Sequence, residues 1–274
     1  MNTDNLAFHT FDQRPDLIDP AENLASRGWP EFLLHSPLID EHFHAIYDHF
    51  KDYQFGLVDP TSDKLAAFGN CVPLCWDGPL EQLPGGGVEW ALEKSVEDHA
   101  AGRTPNLASA FQIVIEPDLR GRGMAGLMVQ QMIRVVRNHG ISHLVAPLRP
   151  NLKSLYPLTP MERYVRWVRP DGLAFDPWVR VHQRLRAQVL TICGRSMNII
   201  GSVAQWEQWT QMAFPESGEY VIPGALVPIS IDRQADHGEA SRQPVLLQLP
   251  DPVSYTHLRA HETVLDLVCR LLLE

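Results

Sequence analysis

Apolar residues recur along the chain with two different periods, which predict helices and strands in alternation. The segment VEWALEKSVEDHAAG predicts a helix that stops at a glycine. The stretch NLASAFQIVIEP is rich in β-branched and aromatic residues in its second half and predicts a strand, which Pro117 ends. A further helix is predicted over 122–138, capped by Gly140. Its apolar stripe consists of Met124, Leu127, Met128, Met132 and Val135.

The rest of the chain continues this alternation. YQFGLVDPTSDKLAAFGNCVPLCW predicts a hairpin around a Pro-containing turn, and SHLVAPL, AQVLTICG and SMNIIG predict single strands. Helices are predicted around 20–25, in SVAQWEQWTQM, and in DEHFHAIYDHF, where Phe43, Ile46, Tyr47 and Phe50 share one face. GEYVIPGALVPISI predicts one more strand. Strands alternating with helices, together with hairpin pairs, predict an α/β or α+β fold.

The C-terminal region has a different character. Residues 253–274, VSYTHLRAHETVLDLVCRLLLE, resemble the conceptual translation of a transposon-based sequencing adapter, so we exclude them from the fold prediction as a read-through artefact. Residues 238–252 predict a polar loop with an apolar island, VLLQL. A truncated gene and a frameshift before residue 253 are both compatible with this loop. The predicted domain is therefore a single one over 1–237.

Composition narrows the class of protein. The chain has 274 residues, is 45% hydrophobic and carries a net charge of −10, which argues against a general nucleic-acid binder. The first fifteen residues lack the pattern of a secretory signal, and no uncharged apolar run is long enough to span a membrane. The four cysteines form no C-x-x-C pair, so we expect a reduced, cytoplasmic protein.

The turn EPDLRGRGMAG, between the predicted strand and the helix over 122–138, concentrates the candidate chemistry. Its RGRG core fits either a nucleic-acid contact or a backbone cradle for phosphate. Successive backbone amides at a glycine-rich helix start form an anion-binding nest, and the helix N-terminus adds partial positive charge. The turn contains neither G-x-G-x-x-G nor G-x-x-x-x-G-K-[ST], so a dinucleotide fingerprint and a P-loop are excluded.

The order Ile115-x-Pro117 followed by Arg120-x-x-Gly123-x-Ala125 resembles the pyrophosphate loop of the GNAT superfamily of CoA-dependent N-acyltransferases. There the pattern Gln/Arg-x-x-Gly-x-Gly/Ala follows the fourth strand. Downstream, Asn151, Leu155 and Tyr156 resemble the family's later motif, although two residues fewer separate the asparagine from the Leu-Tyr pair. The resemblance implies a central mixed, mostly antiparallel sheet with helices on both faces. It also implies an insertion over 159–186.

The same resemblance implies an activity, namely transfer of an acetyl group from acetyl-CoA to an unidentified amine by direct attack on the thioester. Splayed fourth and fifth strands would admit the pantetheine arm, and amides of the fourth strand would polarise the thioester carbonyl. Tyr156 matches the general acid that protonates the leaving thiolate. The implied cofactor-binding residues are Ile113, Ile115, Arg120, Gly121, Arg122, Gly123, Met124, Ala125 and Asn151.

The general base stays unassigned, because the strand that ends at Ile115 contains no carboxylate. A water chain, or one of Glu97, Asp98 and His99, would serve; Glu116 adjoins the loop. The missing carboxylate also leaves open a catalytically silent acyl-CoA sensor on the same fold. The acceptor, the acyl chain length and the oligomeric state are not given by the sequence.

Two other groups of residues attract attention. His42, His44 and His49 lack the spacing of a zinc site and predict a solvated helix face, so we expect no metal. The Arg/Trp-rich segment over 161–188 has three interpretations: a lid whose arginines pair with carboxylates, a site for the CoA 3′-phosphate or an acidic substrate, and an RNA-binding surface.

Overall fold

The computed structural model describes residues 5–194, 196–242 and 244–250. The predicted adapter-derived segment, 253–274, lies outside these residues. The strands are β1 (Ala7–Thr10), β2 (Phe55–Asp59), β3 (Lys64–Leu74), β4 (Leu107–Ile115), β5 (His143–Leu148), β6 (Gln188–Ile192), β7 (Ser196–Gly201), β8 (Gly218–Tyr220), β9 (Ile229–Asp232), β10 (His237–Arg242) and β11 (Val245–Leu249). The helices are α1 (Ile18–Gly28), α2 (Pro37–His42), α3 (Ala45–Asp48), α4 (Gly87–Ala100), α5 (Met124–Asn138), α6 (Met161–Tyr164), α7 (Pro177–Arg184) and α8 (Val203–Thr210).

The main sheet has seven strands in the order β1-β2-β3-β4-β5-β11-β6. β4 and β5 run parallel, and the other neighbouring pairs are antiparallel. The prediction of a mixed, mostly antiparallel sheet is confirmed. The parallel pair requires a crossover connection, and α5 supplies it.

Helices cover both faces of this sheet. On one face, Met132 of α5 lies over Gly69 in β3. The next residue of β3, Asn70, points to the opposite face because side chains alternate along a strand. On that face Asn70 hydrogen-bonds Gln112, whose strand neighbour Val114 lies against Gly28 at the end of α1. We call this second face the α1 face.

The helices after α1 belong to the same α1 face. Tyr47 of α3 lies beside Asn70. His49 after α3 stacks on His99 of α4 at 4.5 Å, and α4 also packs against α2. The α1 face therefore carries α1–α4, while α5 lies on the other face and packs against α7.

A second, four-stranded sheet in the order β7-β10-β9-β8 is inserted between β6 and β11. It has its own apolar core around Trp206 and Phe214, which are both fully buried, and Phe32 from the segment after α1 packs on Trp206 at 5.8 Å. The segment GEYVIPGALVPISI, predicted as one strand, forms the two short strands β8 and β9. Gly224 between them has a φ of 83°, which turns the chain.

Two other local predictions were wrong. DEHFHAIYDHF forms two short helices rather than one, because the chain turns between His42 and Ala45. The predicted polar loop over 238–252 instead contains β10 and β11, and β11 lies in the main sheet between β5 and β6. Val245, Leu246, Leu247 and Leu249 are buried there, so the apolar island is a strand with neighbours on both sides.

In the described part of the chain, no helix is both long and apolar enough to cross a bilayer.

Candidate active site

The loop between β4 and α5 has the geometry of an anion-binding nest. Gly121 and Gly123 take left-handed φ values of 79° and 77°, which glycine adopts at low cost. Within the described residues, the amides of 121–126 donate to no backbone or side-chain acceptor. No atom lies within 4 Å of a Cβ placed on either glycine. The loop therefore presents free donors at the start of a fifteen-residue helix, where a phosphate group is stabilised.

The other residues predicted for this loop divide into two groups. Met124 is buried in the core, so only its backbone amide is available to a ligand. Ala125 is half-buried on the first turn of α5, and Arg122 is exposed. Arg120 is also exposed, and its Nε donates to the carbonyl of Ile115 at 3.3 Å, which ties the loop to the end of β4.

β4 and β5 diverge into a cleft. They pair only at Leu107–His143, Ala108–Leu144 and Ser109–Val145. Beyond this point β4 stays paired with β3 up to Ile115, and β5 stays paired with β11 up to Leu148. We call the space between the unpaired halves the β4–β5 cleft, and its open end is the end at Ile115 and Leu148. The splayed strands implied by the family resemblance are present.

The free backbone groups of β4 point into this cleft. The Glu116 amide donates to the Ala66 carbonyl of β3 at 3.0 Å. Alternate residues of a strand direct their amides to opposite sides. Ile113 and Ile115 therefore direct theirs toward β5, where the ladder has ended. A β-bulge precedes these two residues: Asn70 pairs with Gln112 and Cys71 with Ala110, so Phe111 has no partner on β3.

Asn151 and Tyr156 follow β5 at the open end of the cleft. Asn151 is exposed. The half-buried Tyr156 ring packs edge-on against Trp167 at 5.0 Å and Phe175 at 5.8 Å. Its hydroxyl donates to no acceptor among the described residues, whereas its carbonyl accepts from Lys153 Nζ at 2.9 Å.

Lys153 fixes the turn that carries Tyr156, and its role could not be recognised in the sequence. It is completely buried, and its ammonium group also donates to the Leu226 carbonyl at 2.5 Å. Burial lowers the pKa of this ammonium group. The single turn Lys153–Leu155 is thereby attached to the segment between β8 and β9.

The candidate general bases differ in their environment. Desolvation raises the pKa of Asp98, but hydrogen bonds from Lys94, the Cys75 amide and Arg103 outweigh it, so the pKa lies below its usual range. Asp98 is also at the far end of α4 from the cleft opening, and it serves as a structural ion pair. Glu116 pairs with Arg27 at 2.9 Å. Glu97 and His99 are exposed on α4, and no base is assigned among these residues.

A series of hydrogen-bonded side-chain amides, of which Gln54 and Asn70 are buried, crosses the α1 face beside the bulge. Trp29 Nε1 donates to Gln112 Oε1 at 3.0 Å, Gln112 Nε2 to Asn70 Oδ1 at 2.8 Å, and Asn70 Nδ2 to Gln54 Oε1 at 3.0 Å. Gln54 in turn donates to the carbonyls of Phe50 and Cys71. An indole can only donate and a carbonyl can only accept, so both ends fix the direction of every amide. This series of hydrogen bonds holds β4 in register with β3 where the β4–β5 cleft begins.

One of the histidines considered as metal ligands takes part in packing between helices. His49 stacks on His99, and no group of three or more metal-ligating residues occurs among the described residues.

The predicted insertion, 159–186, is held together by hydrogen bonds to Asp176. This side chain accepts from the Tyr164 hydroxyl, the Leu152 backbone amide and the first backbone amides of α7. Arg169 pairs with Asp171 at 3.2 Å, and Arg180 binds the carbonyls of Ala174 and Phe175. Of these two arginines only Arg169 pairs with a carboxylate, and the three interpretations of the segment stay predictions.

Comparison with known proteins gives one close relative and several structural neighbours. No family model matches the chain. An arginine N-acetyltransferase of Aspergillus versicolor is 34% identical over 256 aligned residues, which cover 82% of this chain and 87% of the relative.

Two solved structures share the fold. The loading GNATL domain of CurA from Lyngbya majuscula has a TM-score of 0.55 at 17% identity and matches 91% of this chain and 98% of that domain. The GphF GNAT-like decarboxylase, solved with isobutyryl-CoA, has a TM-score of 0.50 at 15% identity and matches 90% and 98% of the two chains.

Proposed function

Since the chain belongs to the GNAT superfamily and is an acyl-CoA-dependent N-acetyltransferase, we propose that its acceptor is the α-amino group of free arginine. The observation that carries this proposal is the 34% identity to an arginine N-acetyltransferase, which extends over most of both chains. The same relationship favours an enzyme over a catalytically silent acyl-CoA sensor. We further propose a cytoplasmic location, which fits the free cysteines Cys71, Cys75 and Cys193.

In the proposed reaction, the nest formed by Gly121, Arg122, Gly123, Met124 and Ala125 binds the pyrophosphate of acetyl-CoA. Arg120 supports the nest through its hydrogen bond to Ile115, and Asn151 contacts the pantetheine arm. The arm lies in the β4–β5 cleft, where the amides of Ile113 and Ile115 face the thioester. Such amides, fixed before the reaction begins, stabilise the negative charge that develops on the carbonyl oxygen.

The acceptor amine must be neutral when its nitrogen attacks the thioester carbonyl. Because the carboxylates near the loop are engaged or exposed, we assign the removal of the proton to water rather than to a side chain. The C–S bond of the tetrahedral intermediate then breaks, and Tyr156 protonates the thiolate. Acetylated arginine and free CoA are the products.

The test is an incubation of the purified chain with acetyl-CoA and arginine. CoA release is followed with a thiol reagent, and mass spectrometry with fragmentation identifies the acetylated nitrogen. Arginine-dependent CoA release and an N-acetylated product are expected. CoA release that is unchanged by arginine, with no acetylated product, would contradict the arginine assignment.

The role of Tyr156 predicts a selective loss of rate. Tyr156→Phe removes only the hydroxyl and keeps the ring that packs on Trp167, so kcat should fall about 100-fold, within the range for general acid catalysis. Stopped-flow or steady-state kinetics measure this fall, and the KM for acetyl-CoA should stay nearly constant.

The matched control for Tyr156→Phe is Tyr164→Phe, in the same aromatic cluster. The Tyr164 hydroxyl donates to Asp176 at 2.8 Å and is buried. Its removal should lower the free energy of unfolding by about 1–2 kcal/mol and leave kcat within about twofold of the parent. If both variants have the same kcat, Tyr156 is a packing residue and another group protonates the thiolate.

A further inference from the structure

Glu89 lies on the α1 face, at the end of α4 that is nearer the open end of the β4–β5 cleft. It lies in the first turn of α4, whose first residue, Gly87, contacts Ser196 and Pro244. Pro244 immediately precedes Val245, and Val245 pairs with Leu148 at the end of β5. The other end of α4 lies at the closed end of the cleft, since Asp98 accepts from the Cys75 amide just after β3. α4 thus runs along the cleft, with Glu89 toward its open end.

The Glu89 carboxylate is held by neutral donors. Its Oε1 accepts from the Ser36 hydroxyl at 2.5 Å, and its Oε2 accepts from the backbone amide of Asn198 at 3.2 Å. Neither donor carries a charge, and no cationic side chain lies within 4.0 Å of Glu89 in the described residues. The carboxylate is half-buried, so one side remains open to a ligand. A carboxylate has about four acceptor positions, and two of them are used here.

Two further oxygen acceptors lie beside this carboxylate without partners. Ser196 Oγ is buried, lies against Gly87 at the start of α4, and has no hydrogen bond among the described residues. Asn198 Oδ1, two residues further along β7, is likewise buried and unpaired. An unpaired buried acceptor destabilises a protein, so a donor from a ligand is favoured at this position. Among the described residues, the group formed by Glu89, Ser196 and Asn198 therefore offers several hydrogen-bond acceptors and has no cationic side chain within 4.0 Å of the carboxylate.

We propose that Glu89, with Asn198 and Ser196 beside it, forms the subsite for the cationic guanidinium group of the acceptor. A guanidinium is planar and offers two parallel N–H donors to a carboxylate, which Glu89 can accept on its open side. Bound in this way, the acceptor directs its α-amino group into the cleft toward the thioester. The inference rests on the proposed arginine acceptor and adds the residue that selects its charged end.

Citrulline provides the probe, since it has the shape and α-amino group of arginine but a neutral urea in place of guanidinium. The parent enzyme should favour arginine over citrulline in kcat/KM. Glu89→Gln should raise the KM for arginine about 30-fold, which corresponds to the loss of one charge-assisted hydrogen bond. The KM for citrulline and that for acetyl-CoA should change less than threefold. Glu93→Gln, one turn further along α4 and exposed, is the matched control and should behave as the parent.

Unfolding curves of all three proteins establish that the variants are folded under the assay conditions. If Glu89→Gln keeps the parent's preference for arginine over citrulline, the subsite assignment is overturned. An equal fall in kcat for both acceptors also overturns it, because Glu89 would then act on the reacting amine.

A second pair of acceptors separates failure of the subsite from failure of the arginine proposal. Lysine carries a cationic end that norleucine lacks, and fragmentation of the product identifies whether the α- or the ε-nitrogen of lysine is acetylated. If the parent acetylates lysine but not arginine, the acceptor proposal fails. The role of Glu89 is then decided by whether Glu89→Gln loses the parent's preference for lysine over norleucine. If no amine of the four is acetylated, both proposals are contradicted.

Discussion

Replacing Gly123 with glutamate is expected to raise the KM for acetyl-CoA about 1000-fold. Gly123 has a φ of 77°, where a residue with a Cβ is strained by about 1–2 kcal/mol. The loop relieves this strain by leaving the conformation in which its amides converge, and each lost amide–phosphate hydrogen bond weakens binding by about 1.5–3 kcal/mol. The new carboxylate also repels the pyrophosphate. A total near 4 kcal/mol corresponds to this change in affinity.

Gly140→Glu is the control for this prediction. Gly140 lies just beyond the other end of α5, with a φ of 75° and no atom within 4 Å of its Cβ position. The backbone strain is the same, and the negative charge at a helix C-terminus adds a further loss of stability. Gly140→Glu should therefore be at least as destabilised in urea unfolding, yet bind acetyl-CoA like the parent. Calorimetric titration gives both affinities, and equal binding by the two variants would show that the nest does not hold the cofactor.

The nest could be predicted from the sequence because every part of it is local. Pro117 ends the strand, Gly121 and Gly123 permit the turn, and the stripe that begins at Met124 specifies the helix. These signals lie within the short segment 117–124, so no tertiary contact is needed to interpret them. The same locality explains why the strands beside the nest were also predicted.

Glu89 could not be predicted, because its partners are distant in the sequence. Ser36 is 53 residues away and Asn198 is 109 residues away, and only the fold brings them together. The amide chain from Trp29 to Gln54 has the same character, since it links a helix end with three regions of the sheet. In both cases the sequence contains ordinary polar residues, and only the fold shows which hydrogen-bond partners each of them has.

β11 was missed for a related reason. Its five residues follow a polar stretch and show no period-two alternation, which a strand with one solvated face would have. Val245 to Leu247 form a continuous apolar run because β11 is central, with β5 on one side and β6 on the other. In the sequence such a short apolar run cannot be told from a loop segment, because the strands that pair with it on both sides are distant in the chain.

This placement gives β11 a measurable contribution to stability. Leu247 is 2% exposed and lies opposite Ala146 of β5 and Val189 of β6. Leu247→Ala should lower the free energy of unfolding by about 3–4 kcal/mol, because it removes buried methyl groups and leaves a cavity in the sheet core. Leu158→Ala is the control: Leu158 is 77% exposed, and its truncation should change stability by less than about 0.5 kcal/mol. Urea unfolding followed by tryptophan fluorescence measures both.

Leu247→Ala should also affect the reaction, because β11 supports one wall of the β4–β5 cleft. β5 pairs with β4 at only three positions, so in its half beside the cleft β11 is the only strand that pairs with it. Loosening β11 therefore frees one wall of the cleft, and the KM for acetyl-CoA should rise together with the loss of stability. If Leu247→Ala instead unfolds like the parent, the placement of Leu247 in the core of the main sheet is contradicted.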